Sequence, residues 1–212
     1  MRLVVCMLFA FKSTLAEGET VLRGVHESRP SNPVVEVFCK PTTVVGAQEL
    51  QQLPKPYRLR LAVDSVWLGN DIDVPAVTEK IALNVPTPDS TTFWAPTYPA
   101  SRRSTNGSML ATSLISDHYF SVYVGWDEED DDEKHSAWLR QHMLEIEKQS
   151  DGSLLADVDP QLRPTRYWSV DAGQRLMSIR KKWDPAGIIC GYLDAGDTSG
   201  VDGLSNKFSW ET

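Results

Sequence analysis

Apolar and polar positions alternate most cleanly along "DHYFSVYVGW". Spacing by two puts His118, Phe120, Val122, Val124 and Trp126 on one side of an extended chain, and Tyr119, Ser121, Tyr123 and Gly125 on the other. That pattern predicts a strand with one packed face and one of mixed polarity. "YRLRLAVDSVWLGN" alternates similarly, with Leu59, Leu61 and Val63 opposed to Arg58, Arg60 and Asp64, and predicts a half-buried strand whose leucines face the core. "NPVVEVFCKP", "TTFWAPTYPA" and "DGSLLADV" read as further strands. Pro96 and Pro99 place the second of these at a sheet edge or a bulge, because proline cannot donate to a ladder.

A spacing of three and four marks the helices. "STLAEGETVLRGVHE" gathers Leu15, Val21, Leu22 and Val25 on one face, and "TTVVGAQELQQLP" opens with capping threonines and stops at Pro54. "DVPAVTEKIALNVP" carries Pro75 in a first helical turn, with Val77, Ile81 and Leu83 as its apolar positions. The longest predicted helix runs from Glu129 to Gln149 with Trp138, Leu139, His142, Met143 and Ile146 facing a core. Another spans Val170 to Trp183 with Leu176, Ile179 and Trp183 inward, and the segment from Gly191 onward reads as loop. The run Leu3 to Phe11 in "MRLVVCMLFAFK" is read as a buried strand rather than a secretory leader, on its β-branched and aromatic content, which gives a cytoplasmic expectation. It is too short to span a membrane. The whole predicts one α+β domain over residues 1–212. An antiparallel sheet carries helices on one face, and its other face is left for a small-molecule pocket or an interface.

Composition narrows this picture. With 212 residues, 41% of them hydrophobic, and seven tryptophans, the chain has enough apolar surface for a core. A net charge of -8 excludes nucleic acid as the expected partner, since phosphate binding requires a basic surface. Cys6, Cys39 and Cys190 are widely spaced with no CxxC pair, so neither a disulfide framework nor a zinc site is expected. The acidic run Asp127 to Glu133 falls where a helix begins, and carboxylates there interact favourably with the helix dipole. It lacks the glycine of a calcium-binding loop at its sixth position, which is Asp132, and His135 has no converging ligand set, so no metal is expected.

One combination of pieces resembles a known family. A strand ending at Trp126, the acidic spacer, "DEKHSAWLRQ", a turn, and then "RYWSVDAGQRLMSIRKKWDPAGII" look like the carboxy-terminal substrate domain of the berberine-bridge-enzyme-like FAD-linked oxidoreductases. The matching residues of the last segment are Tyr167, Trp168, Leu176, Ile179, Lys181, Trp183, Asp184 and Pro185. The resemblance implies that one sheet face packs on helices while the other lines a substrate pocket. It also implies an upstream FAD-binding domain, of which this sequence shows no glycine-rich segment, so a substrate domain alone, without cofactor, is expected. Two further departures bear on flavin docking. Asp157 stands where the family usually has an asparagine, and "GYLDAG" replaces its closing segment.

Within that resemblance, Tyr119 falls where several relatives carry a glutamate base. A phenol is a poor base at neutral pH but a good hydrogen-bond donor to a carbonyl or developing oxyanion. The candidate catalytic residues are therefore Tyr119, Asp64 and Asp157, with Ser121, Tyr123, Trp94 and Tyr98 as candidate substrate contacts. The alternatives are plain: an aromatic ladder for Tyr119 and Tyr123, solvent-facing positions for the two aspartates, and edge plugs for Trp94 and Tyr98. His118 falls on the face opposite Tyr119 and reads as structural, and His26, His135 and His142 belong to helices. The expected function is a cofactor-independent cyclase or isomerase acting on a reactive, small hydrophobic metabolite of fungal secondary metabolism. The alternative is a non-catalytic accessory protein or homodimer beside a full-length FAD-linked oxidoreductase.

Overall fold

A computed structural model describes residues 14–29, 31–33, 35–51, 59–97, 114–159, 162–163 and 165–185. The predicted strand at Leu3 to Phe11, the turn after Ala100 and the tail from Gly191 lie outside these residues. The chain divides into two units, Met1–Tyr57 and Arg58–Thr212.

In the first unit, Thr14 caps α1 (Leu15–Glu27) through a reciprocal box. Its hydroxyl accepts from the Glu17 backbone N–H at 3.3 Å, and Glu17 accepts from the Thr14 N–H at 3.2 Å. The helix forms as predicted, yet Leu15, Val21 and Val25 are exposed and only Gly18 is buried. α2 (Val44–Gln51) follows, with the Thr43 hydroxyl accepting from the Gly46 N–H at 3.0 Å. The predicted strand "NPVVEVFCKP" is not one. Cys39 takes a φ of 50°, which breaks an extended run. Phe38 and Glu36 instead turn back onto α1: the His26 and Phe38 rings lie 4.2 Å apart, and His26 and Arg29 both reach Glu36 at 3.2 Å.

The second unit is built on a three-stranded antiparallel sheet. Its strands are β1 (Arg60–Leu68), β2 (Thr91–Pro96) and β3 (His118–Trp126), in the order β1-β3-β2. β3, the most regular in the sequence, is central, and the proline-containing β2 is an edge. α3 (Val74–Asn84), capped by Asp73 with Pro75 in its first turn, and α4 (Asp132–Glu147) cover one face. The core there joins Ala62, Val66 and Leu68 of β1 and Phe120, Val122, Val124 and Trp126 of β3 to Ile81, Leu139, Met143 and Ile146. This reverses the predicted facing of β1. Leu61 is 51% exposed, and the even-numbered residues, Asp64 among them, point to the helices. The alternation was real, but "AVDSVWL" is buried almost throughout, so apolar character alone did not mark the helix side.

The acidic run begins as a 3-10 turn, Glu129–Asp131, and continues into α4. Asp132 ties the corner together. It accepts from Trp126 Nε1 at 2.7 Å and from Arg60 Nη2 at 2.5 Å, and the Arg60 bond holds its carboxyl below the usual range. "DGSLLADV" is the second lost strand. It makes one bridge, Gly152 to Trp67, and then a 3-10 turn at Leu155–Asp157. Gly152 sits at a φ of 137°, where the chain leaves the edge of β1. α5 (Val170–Trp183) has the predicted bounds. Ile179 and Trp183 are nonetheless exposed, and only its start is packed, with Tyr167, Trp168 and Ala172 gathering on Leu155, Val158 and Leu176.

Candidate functional site

The sheet face away from α3 and α4 is set by register. Trp67 lies opposite Tyr119, which lies opposite Ala95; Ser65, Ser121 and Phe93 form the next row; Val63, Tyr123 and Thr91 the one after. Aromatic rings wall this face, with Trp67 at 5.2 Å and Phe93 at 6.1 Å from the Tyr119 ring. Between them sit three hydroxyls, those of Ser65, Ser121 and Tyr119. Ser121 Oγ is fully buried and meets no partner at hydrogen-bonding geometry among the described residues.

The 3-10 turn beyond Gly152 brings Asp157 over this face. Tyr119 Oη donates to Asp157 Oδ2 at 2.5 Å. Burial, reinforced by that bond, pushes the Tyr119 phenol above the ordinary tyrosine value, while the nearby hydroxyls of Ser121 and Ser65 oppose the rise. The phenol therefore stays protonated and its hydrogen is committed to the carboxylate.

The seven candidate residues do not form one cluster. Tyr119, Ser121 and Tyr123 share the face away from the helices, where the first two are buried and Tyr123 half-buried, and Asp157 joins them from the turn. Trp94 is on the other face, stacked on His118 with ring centres 5.8 Å apart and half exposed at the sheet edge. Asp64 is also on the other face and is neither pocket-lining nor solvent-facing. It is 1% exposed and paired to Arg163, whose Nε donates to Oδ2 at 2.5 Å and Nη2 to Oδ1 at 2.9 Å. Tyr98 lies outside the described residues. His118 does fall opposite Tyr119, with Nε2 at 2.8 Å from Asn70 Oδ1.

Sequence reasoning missed Ser65, Trp67, Phe93 and Arg163. The first three have a signal, since each falls in register beside a chosen residue of β3 once the strand pairing is known. Arg163 has none, because a single arginine in an irregular segment carries no period. Beside Trp67, the residues Leu114, Ile115, Leu154, Leu155, Tyr167 and Trp168 enclose a cavity of about 20 Å³, room for a methyl-sized group.

The positions of the three strands that face away from α3 and α4 carry no cationic side chain and open no glycine-rich turn. They do not fit the pyrophosphate of an FAD, which calls for backbone N–H groups at a helix start or for basic side chains.

Comparison with known proteins places this geometry in context. The chain is 31% identical over 192 residues to FAD-linked oxidoreductase ptmO of Penicillium ochrochloron, covering 90% of this chain and 42% of the relative. It is 30% identical over 192 residues to FAD-linked oxidoreductase penO of Penicillium crustosum, with the same coverage of 90% and 42%. FAD-linked oxidoreductase nodO of Hypoxylon pulicicidum is 29% identical over 142 residues, which is 65% of this chain and 30% of the relative. The chain thus spans at most about 42% of the length of these relatives. No family model matches, and no solved structure matches. Among the described residues no helix is long and apolar enough to cross a membrane.

Proposed function

We propose that this chain is the substrate-side part of an enzyme of the FAD-linked oxidoreductase type in fungal secondary metabolism. The sheet face away from the helices, accessible at Phe93, Thr91 and Tyr123 and buried at Trp67, Ser121 and Tyr119, binds a small hydrophobic organic molecule, and the half-buried Asp157 accepts a proton from it. The observation that carries this reading is the Tyr119–Asp157 hydrogen bond at 2.5 Å on an aromatic-walled face. The similarity to FAD-linked oxidoreductases supports the redox assignment.

The residues act in three ways. Phe93, half exposed, and Tyr123, half-buried, offer apolar surface to a ring or chain. Tyr119 fixes the direction of the Asp157 carboxylate, so that little reorganisation is needed when a proton arrives. Asp157 takes that proton from an O–H or an acidic C–H of the substrate. Flavin, where it takes part, is the acceptor of the electrons. Since the strand positions of this face do not fit the pyrophosphate, a flavin would be held elsewhere.

The same base serves a flavin-free cyclisation or isomerisation, and the products distinguish the two. In a producing fungal strain carrying Asp157→Asn, the metabolite that accumulates is compared by mass spectrometry with the normal product. An accumulated compound heavier than the product by two hydrogens supports the oxidoreductase reading. An isomer of the product overturns it in favour of cyclisation or isomerisation. Full product from this strain, and none from a strain lacking the gene, assigns the chain an accessory role instead.

A further inference from the structure

The loop that carries Asp157 starts at Ser153 and returns at Arg163, and the two ends are stapled together. Arg163 Nη2 donates to Ser153 Oγ at 3.1 Å and to the Ser65 carbonyl at 3.0 Å. The same guanidinium grips Asp64 through two bonds and Glu147 Oε2 at 2.6 Å, on the helix side of the sheet. Ser153 Oγ is also 2.7 Å from Thr165 Oγ1, which in turn reaches Glu147 at 3.1 Å. Among the described residues, the stretch between the two anchors meets β1 through the Asp159 N–H on the Val63 carbonyl at 3.3 Å and the Ser65 hydroxyl on the Leu154 carbonyl at 3.5 Å, and Leu155 and Val158 pack against Tyr167 and Trp168. Arg163 thus sits on the helix side of β1 and Asp157 on the other.

We infer that Arg163 is a positioning residue for Asp157: by closing the Ser153–Arg163 loop from the helix side of the sheet, it holds the carboxylate against Tyr119 on the other side. Its importance for turnover rests on the function proposed above, whereas the geometry stands apart from it. Arg163 is 2% exposed and reaches β1 at the Asp64 carboxylate and the Ser65 carbonyl, while its link to the turn that carries Asp157 runs through Ser153. The sheet does not depend on this staple for its register, which comes from the β1–β3 and β2–β3 ladders. Loosening the staple should thus free the turn before it frees the strands.

The test follows the Tyr119 hydroxyl proton by NMR in the full chain at neutral pH, assigned by its loss in Tyr119→Phe. Ser153→Ala removes both Ser153 Oγ bonds of the staple, to Arg163 and to Thr165, and Arg163→Lys keeps the charge but loses the fork that joins Ser153 to Asp64. In both variants the hydroxyl is expected to exchange with water at least about tenfold faster. The Val122 amide and the Trp126 indole N–H, which is bonded to Asp132, are expected to keep their original rates in Ser153→Ala, and to speed up by a smaller factor than the hydroxyl in Arg163→Lys, which also weakens the buried Asp64 pair. A role confined to general stability makes all three protons speed up by the same factor or leaves all three unchanged, and either result overturns the inference. An unprotected Tyr119 hydroxyl in the unaltered protein overturns it too. If Arg163→Lys does not fold, Ser153→Ala decides alone. No substrate enters this measurement, so its failure is separate from that of the metabolite experiment.

Discussion

Arg163→Met leaves Asp64 and Glu147 facing each other at the centre of the second unit with no cation between them. Asp64 is 1% exposed, and the Glu147 side chain 9%. Removing one partner of a buried ion pair costs about 3–5 kcal/mol, because the remaining charge is neither hydrated nor paired. For a unit of this size, roughly 2–4 °C per kcal/mol, the midpoint of thermal unfolding at pH 7.5 should fall by about 6–20 °C.

The pH dependence gives a second reading of the same cluster. Burial, opposed by Arg163, pushes the Asp64 carboxyl up to about 6. Two carboxylates share one guanidinium, so the site already carries a surplus negative charge. Between the unfolded value near 3.8 and about 6, the folded protein binds a proton that the unfolded chain has released. The contribution of Asp64 to stability is thus fully present below the unfolded value and is lost as pH rises through the folded one. That loss approaches roughly 3 kcal/mol at neutral pH. Circular-dichroism melts at pH 7.5 and 5.5 should show Arg163→Met recovering part of its deficit at the lower pH. Asp64→Asn should flatten the pH dependence of the unaltered protein between these values. A shift below about 2 °C in Arg163→Met, or a deficit that grows on acidification, would refute the reasoning.

Three further outcomes are expected. Gly152→Ala places a Cβ 2.7 Å from the Arg166 carbonyl oxygen at a φ of 137°, so it should destabilise the second unit by about 1–3 kcal/mol, measurable by urea unfolding. Thr14→Ala removes the capping box of α1 and should lower that helix's stability by ~1 kcal/mol, read as faster amide exchange over its first turn with no change in β3. Tyr119→Phe keeps the ring packing on Trp67 and Phe93 and should fold, yet in the producing strain it should lower product by about tenfold, the scale of one hydrogen bond to a charged group.

The parts of the fold legible in the sequence were those with a strict period. β3, the edge character of β2, and the bounds of α1, α3 and α5 all followed from spacing, proline and capping residues. "NPVVEVFCKP" and "DGSLLADV" have strand composition, but a strand needs a neighbour to bond, and neither has one beyond the Gly152 bridge. β1 was found but turned over, because a strand buried on both sides offers no polar face to orient it. The site was half legible for the same reason. Tyr119 and Ser121 share a face by arithmetic alone, and Asp157 joins them only because the chain bends at Gly152. Asp64 was chosen with Asp157 as an acid or base on a neighbouring strand if buried, and its partner Arg163 is 99 positions away in the chain.

The most direct test of the account is an NMR titration of the folded protein with the metabolite that accumulates in the Asp157→Asn strain. Substrate binding on the sheet face away from the helices predicts shift changes at Tyr119, Ser121, Tyr123 and Phe93, with Trp94 and His118 unaffected. Changes centred on Trp94 and His118, or none at any of the six, would contradict it.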